Sequence, residues 1–545
     1  MSLFNLKIMK KIFNKIPTIS ILLLIMLGSC NKDFLNKSPL DQLDAATFYA
    51  SKADVDMALT ACYSTLQDGQ FTWGSPYLDC LSDNATCNNA ATLDNYNSVE
   101  LARGPITPTT GGFVTSIYTT AYIYIARYNI FLQTLAAYKG SDLSAAQNTE
   151  YQAEARLLRA MKYFDLYRFY GSVPLVTTPL TIKTEYQAKA DSSAVLAQIN
   201  ADIVFAVANL PDVSYASNGG HLVKAAAELL QARVLLVDSY DAGGNAIASV
   251  MQQVETVTSD IMSKGYSIAP SFRGLFCQDL GQQNGNPEFI FAVNFLGPTD
   301  YPEPLGGAAN GTWLSNSTWG ESAVLLAEQG SLFPLVNFAN EFEFKDGTPF
   351  STSNPLYNPA NVYQNRDPRM SKTLFTDSIV FENGFHDVGF SPTATGYDLY
   401  KEIESSDAAN IYNTTNGSAW PMMRYAEVLL SYAEAANETD GPTAAVYSAI
   451  NQIRNRADIN MPPLPAGLSQ TQMRAAIRHE RRVELAFEGF RYDDLKRWKI
   501  AETALTMPAS AGVISRSFQT INYNFPLPQT EIDINHGVLV QNPNY

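Results

Sequence analysis

Helical periodicity at both ends of the chain, interrupted by a long irregular stretch, constrains the fold most. Apolar residues recur at spacings of three and four, which places them on one face of a helix. Helical periodicity starts near Ser51, and Val55, Leu59, Cys62, Tyr63 and Leu66 share one stripe there. The periodicity returns after Pro421, and a last helix is predicted to end at about 501. The other segments predicted as helices are residues 113–137, 145–169, 192–209, 222–240, 244–264, 443–456 and 469–488. Short connections with Gly or Pro separate them, as in successive helix pairs. Stacked helix pairs are typical of repeat proteins, although periodicity alone does not identify the repeat.

The stretch from about 265 to 420 has a different character. Gly, Pro, Asn and Ser become dense, helical periodicity largely disappears, and short strand-like runs such as Phe289–Val293 occur. A second irregular segment, about 68–112, interrupts the N-terminal helices and is rich in Asn, Thr, Gly and aromatic residues. Loops this long are usually functional or disordered. We therefore predict a mainly α fold with a large irregular insertion that contains short strands.

The N-terminus has the pattern of an export signal. Four lysines precede the apolar run Leu22–Ser29, which is too short to cross a membrane, and Cys30 follows it. This ending resembles the lipobox of bacterial lipoproteins, in which residues 1–29 are removed and Cys30 carries the lipid. Residues 30–50, polar and irregular, would then be the lipid anchor and tether. The alternative is an ordinary secretory signal with an accidental cysteine.

Charge and cysteine content exclude several classes of protein. The chain has 37 Lys and Arg against 53 Asp and Glu, and loss of residues 1–29 would remove four lysines and no acidic residue. Such a chain is a poor candidate for binding nucleic acid or anionic lipid headgroups. No second apolar run reaches the roughly 18 residues of a membrane helix. We therefore expect membrane contact only through the lipid.

The cysteines beyond Cys30 are too few for a disulfide framework in a chain of this length. They are Cys62, Cys80, Cys87 and Cys277. Cys80 and Cys87 are close enough to pair, but spacing alone cannot establish a bond. No C-x-x-C zinc pattern occurs, and we expect neither a metal nor a cofactor.

Several sequence blocks together resemble one protein family. They are Glu154–Ala160, Tyr163–Gly171, Asn365–Arg369, Arg424–Leu430, Glu480–Arg491, Asp494–Trp498 and Pro526–Pro528. Their order over nearly the whole mature chain resembles the RagB/SusD family of outer-membrane nutrient-binding lipoproteins. The lipobox agrees with this resemblance independently.

The resemblance implies a mainly α, tetratricopeptide-like superhelix of helix pairs with an irregular ligand-binding insertion. The N-terminal scaffold would cover 51–264, with a ligand loop near 68–112. The insertion would cover 265–420, and the C-terminal helix pairs and tail 421–545. The resemblance further implies a surface protein without catalytic activity. It would capture an oligosaccharide and pass it to a SusC-like TonB-dependent transporter.

Aromatic side chains in the irregular segments are the candidate ligand contacts. Flat rings bury the apolar C–H faces of a sugar, while polar side chains satisfy its hydroxyls. The predicted contacts are Trp73, Tyr77, Asp79, Asn84, Tyr96, Tyr301, Asn310, Trp313 and Trp319. The resemblance supports these by region only, because ligand loops vary, and packing is the alternative for each tryptophan. Trp420 and Trp498 border helices and are expected to be structural.

Two charged motifs suggest chemistry but favour structural roles. Arg478–Arg482 is not the zinc-protease motif H-E-x-x-H, because Val483 stands where the second histidine would be. Glu480 and Glu484 are one helical turn apart and are expected to pair with neighbouring arginines, namely Arg481, Arg482 and Arg491. Asn365–Arg369 is expected to be a turn whose arginines brace backbone carbonyls, with an anion site as the alternative.

Three alternatives to oligosaccharide capture stay open on the sequence. A peptide-binding family member would need apolar pockets or paired charges. A surface hydrolase would need a carboxylate pair or a metal site in a cleft. A purely structural lid would serve the transporter and contact little ligand itself.

Overall fold

The computed structural model describes residues 49–67, 76–87, 97–277, 285–294, 332–375, 395–401, 419–510 and 513–545. The chain divides into two compact units, residues 1–56 with 138–142, and residues 57–137 with 143–545. In the first unit the Lys52 backbone N–H donates to Asp142 Oδ2 at 2.7 Å, and the Tyr138 hydroxyl donates to the same carboxylate. All contacts described below lie within the second unit.

The helices of the N-terminal half follow the predicted order. They are α1 (Lys52–Tyr63), α2 (Ser98–Arg103), α3 (Phe113–Ala137), α4 (Ala145–Tyr170), α5 (Ser192–Asn209), α6 (Lys224–Val237) and α7 (Ala248–Met262). The predicted bounds from 113 onward are confirmed to within about a turn. The short helix α2 and a 3-10 turn at Pro76–Leu81 lie inside the segment expected to be an irregular loop.

The later helices include both long and very short elements. They are α8 (Val336–Ala339), α9 (Arg369–Thr373), α10 (Tyr425–Asp440), α11 (Ala444–Arg454), α12 (Gln470–Glu484), α13 (Arg491–Arg497), α14 (Ala501–Ala504) and α15 (Gln529–Ile534). Helix α12 begins at the predicted capping box. Ser469 Oγ accepts from Gln472 N–H, and Gln472 Oε1 accepts from Ser469 N–H at 2.9 Å.

Successive helices pack on one another from α3 to α7, and α7 then packs on α10 across the insertion. The junction of these two helix runs is an apolar cluster that contains Leu236, Met251, Val254, Ala435 and Trp498. Because α7 and α10 are in contact, the insertion between them begins and ends next to the same part of the helical scaffold. Trp498 is 2% exposed, so its predicted structural role is confirmed.

In the part of the chain that the structure describes, six short strands form three antiparallel pairs. They are β1 (Ala85–Cys87), β2 (Phe289–Val293), β3 (Leu332–Pro334), β4 (Leu374–Phe375), β5 (Asp398–Leu399) and β6 (Trp420–Arg424). β1 pairs with β3, β2 with β6, and β4 with β5. The strand predicted at 289–293 is confirmed, and Trp420 lies buried at the start of its partner. The prediction of a mainly helical fold with short strands is therefore confirmed.

A buried ionic centre joins the insertion to the C-terminal helices. Glu484 Oε1 accepts from Arg424 Nη1 at 2.8 Å and Arg456 Nη2 at 2.6 Å, while its Oε2 accepts from Arg369 Nη1 at 3.0 Å. Glu480 pairs with Arg369 and with Arg454. Burial alone would raise the pKa of Glu484, but the three arginines hold it well below its ordinary value.

The ion network contains Glu480 and Glu484, as predicted. The arginines predicted to pair with these two carboxylates are wrong. Arg481 pairs with Asp494, whereas Arg482 and Arg491 both pair with Asp83. Adjacent helical residues point in directions about 100° apart, so the arginines beside Glu480 face other elements. The carboxylates of α12 instead meet arginines from distant parts of the chain.

The Asn365–Arg369 turn is confirmed in part. Arg366 donates to the carbonyls of Ala339 and Phe342 at 2.7–3.0 Å, as expected of an arginine that braces a turn. Arg369 does not brace carbonyls, because its guanidinium lies in the ionic centre with Asp367 and Glu480.

Two further sequence expectations can be compared with the structure. Cys80 and Cys87 are both buried, and no disulfide joins them. Helix α5 is long and apolar enough to cross a membrane by length and composition alone, which we did not expect. It packs on α4 and α6, and its buried Asp202 is paired with Arg159 of α4 at 2.8 Å.

Candidate functional site

A cavity of about 260 Å³ opens where three parts of the scaffold meet. The end of α1 with the 3-10 turn Ser64–Gln67 forms one side, the turn at Gly219–His221 another, and β2 with Asn294 the third. We call this cavity the groove. Its lining residues are Thr60, Tyr63, Ser64, Leu66, Gln67, Gly219, Gly220, His221 and Phe291–Asn294.

Aromatic rings dominate the groove. Tyr63 and His221 meet edge to face, with ring centroids 5.3 Å apart. The Tyr63 ring is also tilted against Phe291 at 6.4 Å, and Phe291 packs edge to face on Tyr215 at 5.7 Å. Phe291 is 1% exposed and forms the back wall, whereas the His221 side chain is 45% exposed. Tyr63 and His221 therefore supply the accessible ring surface.

A single carboxylate holds these two rings in place. Glu154 of α4 is buried, and its Oε2 accepts from the Tyr63 hydroxyl and lies 2.9 Å from His221 Nδ1. The Tyr63 oxygen in turn accepts from the Leu222 backbone N–H at 2.9 Å. Burial and the adjacent Glu154 raise the pKa of Tyr63 well above its ordinary value, so the phenol stays protonated.

Amide groups form the edge of the groove. Gln67 Nε2 donates to the Asn294 carbonyl at 3.0 Å, and Asn294 Nδ2 donates to the Tyr215 hydroxyl at 2.8 Å. Gln67 is the last described residue before 68–75, and Asn294 the last before 295–331. One hydrogen bond therefore joins the starting points of two segments that carry predicted ligand contacts.

The same two regions are joined at a second place. In the β1–β3 pair, Cys87 lies opposite Leu332. Cys87 immediately precedes residues 88–96, and Leu332 immediately follows residues 295–331. The first loop and the insertion are thus anchored to each other at two places, by a side-chain hydrogen bond and by a strand pair.

Chemically, the groove offers ring faces and amide edges. The lining residues that the structure describes include no Lys, Arg, Asp or Glu, and Glu154 behind them already contacts both rings. Across the described part of the chain, no group of three or more His, Cys, Asp or Glu side chains could hold a metal ion. Such a surface suits a ligand with apolar faces and a rim of hydrogen-bonding groups.

Three of the predicted contacts are described, and all three are buried beside β1. Tyr77 is 8% exposed, Asp79 1% and Asn84 0%. Asn84 Nδ2 donates to Asp79 Oδ1 at 2.7 Å, while Asn84 Oδ1 accepts from Arg482 Nε at 2.8 Å. Burial raises the pKa of Asp79 to about 6 despite the Asn84 hydrogen bond. We therefore correct these three assignments to packing and to the polar network around Arg482.

The other predicted contacts lie outside the described residues, as does Cys30. They are Trp73, Tyr96, Tyr301, Asn310, Trp313 and Trp319. The residues that flank them, namely Gln67, Cys87, Asn294 and Leu332, are the described anchor points above.

Sequence reasoning missed the residues that line the groove. Tyr63 belongs to the apolar stripe of α1, and such a position is typical of a core residue. His221 is distant from the other histidines in the sequence, so no cluster indicated a site. The available signal was local: Gly219-Gly220 marks a turn before His221, and both glycines have positive φ angles of 61° and 87°. That Tyr63 and His221 share a carboxylate on α4 could not be read from the sequence.

Comparisons with known proteins agree with this architecture. A family model described as "SusD family" matches residues 287–545, and one described as "Starch-binding associating with outer membrane" matches residues 33–236. SusD-like protein P2 of Formosa agariphila is 24% identical over 96% of this chain and 98% of its own length.

Solved structures give the same result. A SusD-like carbohydrate binding protein from Bacteroides fragilis is 27% identical, with a TM-score of 0.72 over 90% of this chain and 100% of that one. A laminarin binding SusD-like protein is 23% identical, with a TM-score of 0.65 over 90% of this chain and 99% of that one.

The fold and the groove define a protein with a helical scaffold and a ring-lined groove formed by α1, the turn at Gly219–His221 and β2. The two family models match separate parts, residues 33–236 and 287–545, that together make up most of the chain. The chain belongs to the SusD/RagB family, as the sequence resemblance indicated.

Proposed function

We propose that this protein is a cell-surface lipoprotein that captures an oligosaccharide and passes it to a SusC-like TonB-dependent transporter. Residues 1–29 would be removed, Cys30 would carry the lipid in the outer membrane, and 30–50 would be the tether. Family membership supports this proposal. A similar solved structure described as a carbohydrate binding protein and a matching family model described as associating with outer membrane support it as well. The membrane contact would be made by the lipid only.

The observation that carries the proposal is the position of the groove. Its rings lie where the segments that begin after Gln67 and Asn294 start, and one hydrogen bond joins these two residues. Sugar-binding surfaces combine flat rings with hydrogen-bonding groups, and Tyr63, His221 and the two amides supply both. Trp73, Trp313 and Trp319 would extend the ring surface. Tyr96, Tyr301 and Asn310 would supply further contacts.

Capture without catalysis fits the lining of the groove. Glycoside hydrolysis by the usual mechanisms needs two carboxylates flanking the scissile bond. The described lining holds none, and the one carboxylate behind it, Glu154, is 1% exposed. The 51–264 and 421–545 regions would serve as scaffold and the 265–420 insertion as ligand-binding region.

The test is a binding panel with the full-length chain in detergent, using plant, host and microbial glycans and a peptide pool. We expect one glycan class to bind, and Trp73→Ala, Trp313→Ala and His221→Ala each to weaken it by about tenfold or more, because each removes ring surface. Tyr186→Ala is the matched control, since Tyr186 is 45% exposed and contacts His536.

Each contrary outcome points to a different alternative. Unchanged affinity in all three variants contradicts the ring surface as the binding site. Binding of peptides alone favours the peptide-binding alternative, and release of shortened products favours the hydrolase. Failure to bind any glycan, together with co-purification of a TonB-dependent transporter from solubilised outer membranes, favours the structural lid.

A further inference from the structure

The residues that line the groove differ in charge from the chain as a whole, which has 37 Lys and Arg and 53 Asp and Glu. None of the described lining residues is a Lys, Arg, Asp or Glu, and His221 could gain a positive charge only by protonation. His221 Nδ1 is already directed at Glu154 Oε2. One guanidinium contacts the lining: that of Arg127 donates to the Ala61 carbonyl at 2.9 Å and to Ser64 Oγ at 3.3 Å.

Negative charge lies beside the two exposed rings of the groove. Glu154 lies against Tyr63 and His221, and Glu150 of the same helix interacts with both Glu154 and His221. Burial and the charge of Glu154 raise the pKa of Glu150. A second anion brought to this surface would therefore meet an electrostatic environment that already disfavours negative charge.

Two of the three stretches of chain that form the groove contain no Lys or Arg. These stretches are 53–102 and 274–344, and both contain several Asp and Glu. Beside the third side, at Gly219–His221, Lys224 is paired with Asp212 and Glu228. Proteins that hold a carboxylate or sulfate in a binding site do so with Arg, Lys or aligned backbone N–H groups, because an unpaired anion loses its hydration without replacement.

We infer that the groove takes an uncharged oligosaccharide and selects against glycans that carry uronate or sulfate groups. This inference rests on the proposed function and narrows its substrate class. The ring faces of Tyr63 and His221 would contact the C–H faces of neutral sugars, and the amides of Gln67 and Asn294 would bond their hydroxyls. The acidic character of the whole chain adds long-range repulsion of polyanions at low salt.

The test compares matched neutral and anionic ligands on the full-length chain. The probes are amylose, laminarin and mannan, set against polygalacturonate, alginate and chondroitin sulfate, at about 20 mM and about 500 mM salt. The bound neutral glycan is then oxidised at its primary hydroxyls to uronate, which keeps the backbone and adds charge. We expect binding in the neutral group, little dependence on salt, and at least about tenfold weaker binding after oxidation.

A charge variant tests the same inference from the protein side. Gln67→Lys places one cation at the edge of the groove and should recover part of the affinity for the oxidised glycan, whereas Gln67→Met, of similar length and uncharged, should not. Tight, salt-dependent binding of an anionic glycan would overturn the inference while leaving glycan capture intact. Equal affinity for the parent and oxidised glycans would also overturn it. Absence of binding to every glycan would overturn the proposed function together with the inference.

Discussion

Replacing Glu484 by Gln tests the buried ionic centre, which is the most concentrated set of charges in the described fold. Gln keeps the size and an acceptor oxygen but removes the negative charge that faces three guanidinium groups, those of Arg369, Arg424 and Arg456. Glu484, Arg369 and Arg456 have fully buried side chains, and that of Arg424 is 1% exposed. Arginine does not lose its proton in proteins, so the excess positive charge cannot be relieved by deprotonation.

The magnitude follows from leaving a buried charge uncompensated. Removing one partner of a buried pair costs about 3–5 kcal/mol, whereas replacing both partners can be neutral. The remaining carboxylates, Glu288, Glu480 and Glu488, keep part of the attraction, so we expect the lower end of that range. Unfolding entropy of about 2.1 cal/mol/K per residue gives about 1 kcal/mol/K for a unit of this length, so a loss of about 3 kcal/mol lowers Tm by about 3 °C.

The assay is thermal unfolding followed by circular dichroism, with a surface pair as the control. Glu100→Gln removes a carboxylate whose partner Arg103 is on the same short helix, with side chains 52% and 40% exposed. Such exposed pairs contribute about 0–1 kcal/mol, so its Tm should change by about 1 °C or less. In the Glu484→Gln background, Arg456→Met should recover part of the loss. A Glu484→Gln variant that unfolds with the control would refute the reasoning.

Three further outcomes follow from single residues. Burial would raise the pKa of Glu434, but Arg497 lowers it to about 2, below the ordinary 4.5. Its contribution of about 3 kcal/mol is therefore present at neutral pH and lost as pH falls from about 4.5 to 2. Glu434→Gln should flatten that part of a Tm-against-pH curve, and an unchanged acid slope would contradict this. Cys30→Ser should move the full-length protein from the membrane to the soluble fraction, and retention in the membrane would contradict lipid anchoring. Ser469→Ala should cost about 1 kcal/mol in urea unfolding through loss of the capping box with Gln472, and an unchanged midpoint would contradict it.

The helices could be predicted because their signals are local. Apolar spacing, capping boxes and Gly or Pro terminators all lie within a few residues of the element they define. The helix predicted at 113–137 has those bounds in the structure, and the box at Ser469 is formed. The short helix Ser98–Arg103 was missed because six residues are too few to establish a period.

The ion partners could not be predicted because they are not local. Glu484 and Arg424 are 60 residues apart in sequence, and Glu484 and Arg369 are 115 apart. Helical geometry shows only that Glu480 and Glu484 share a face, not which distant element packs on it. The sequence therefore identified a structural role for this helix and the wrong arginines for that role.

The candidate site also combines local features, which the sequence shows, with contacts between distant residues, which it does not show. Composition identified two irregular aromatic segments independently, residues 68–112 and the insertion at 265–420, but it gave no residue contact between them. The structure supplies two such contacts, since Gln67 donates to Asn294 across 227 residues of sequence and Cys87 pairs with Leu332. The groove beside the first contact includes Tyr63 and His221, whose positions depend on Glu154 in a third element. No single stretch of sequence could reveal this arrangement, because its three parts are distant from one another in the chain.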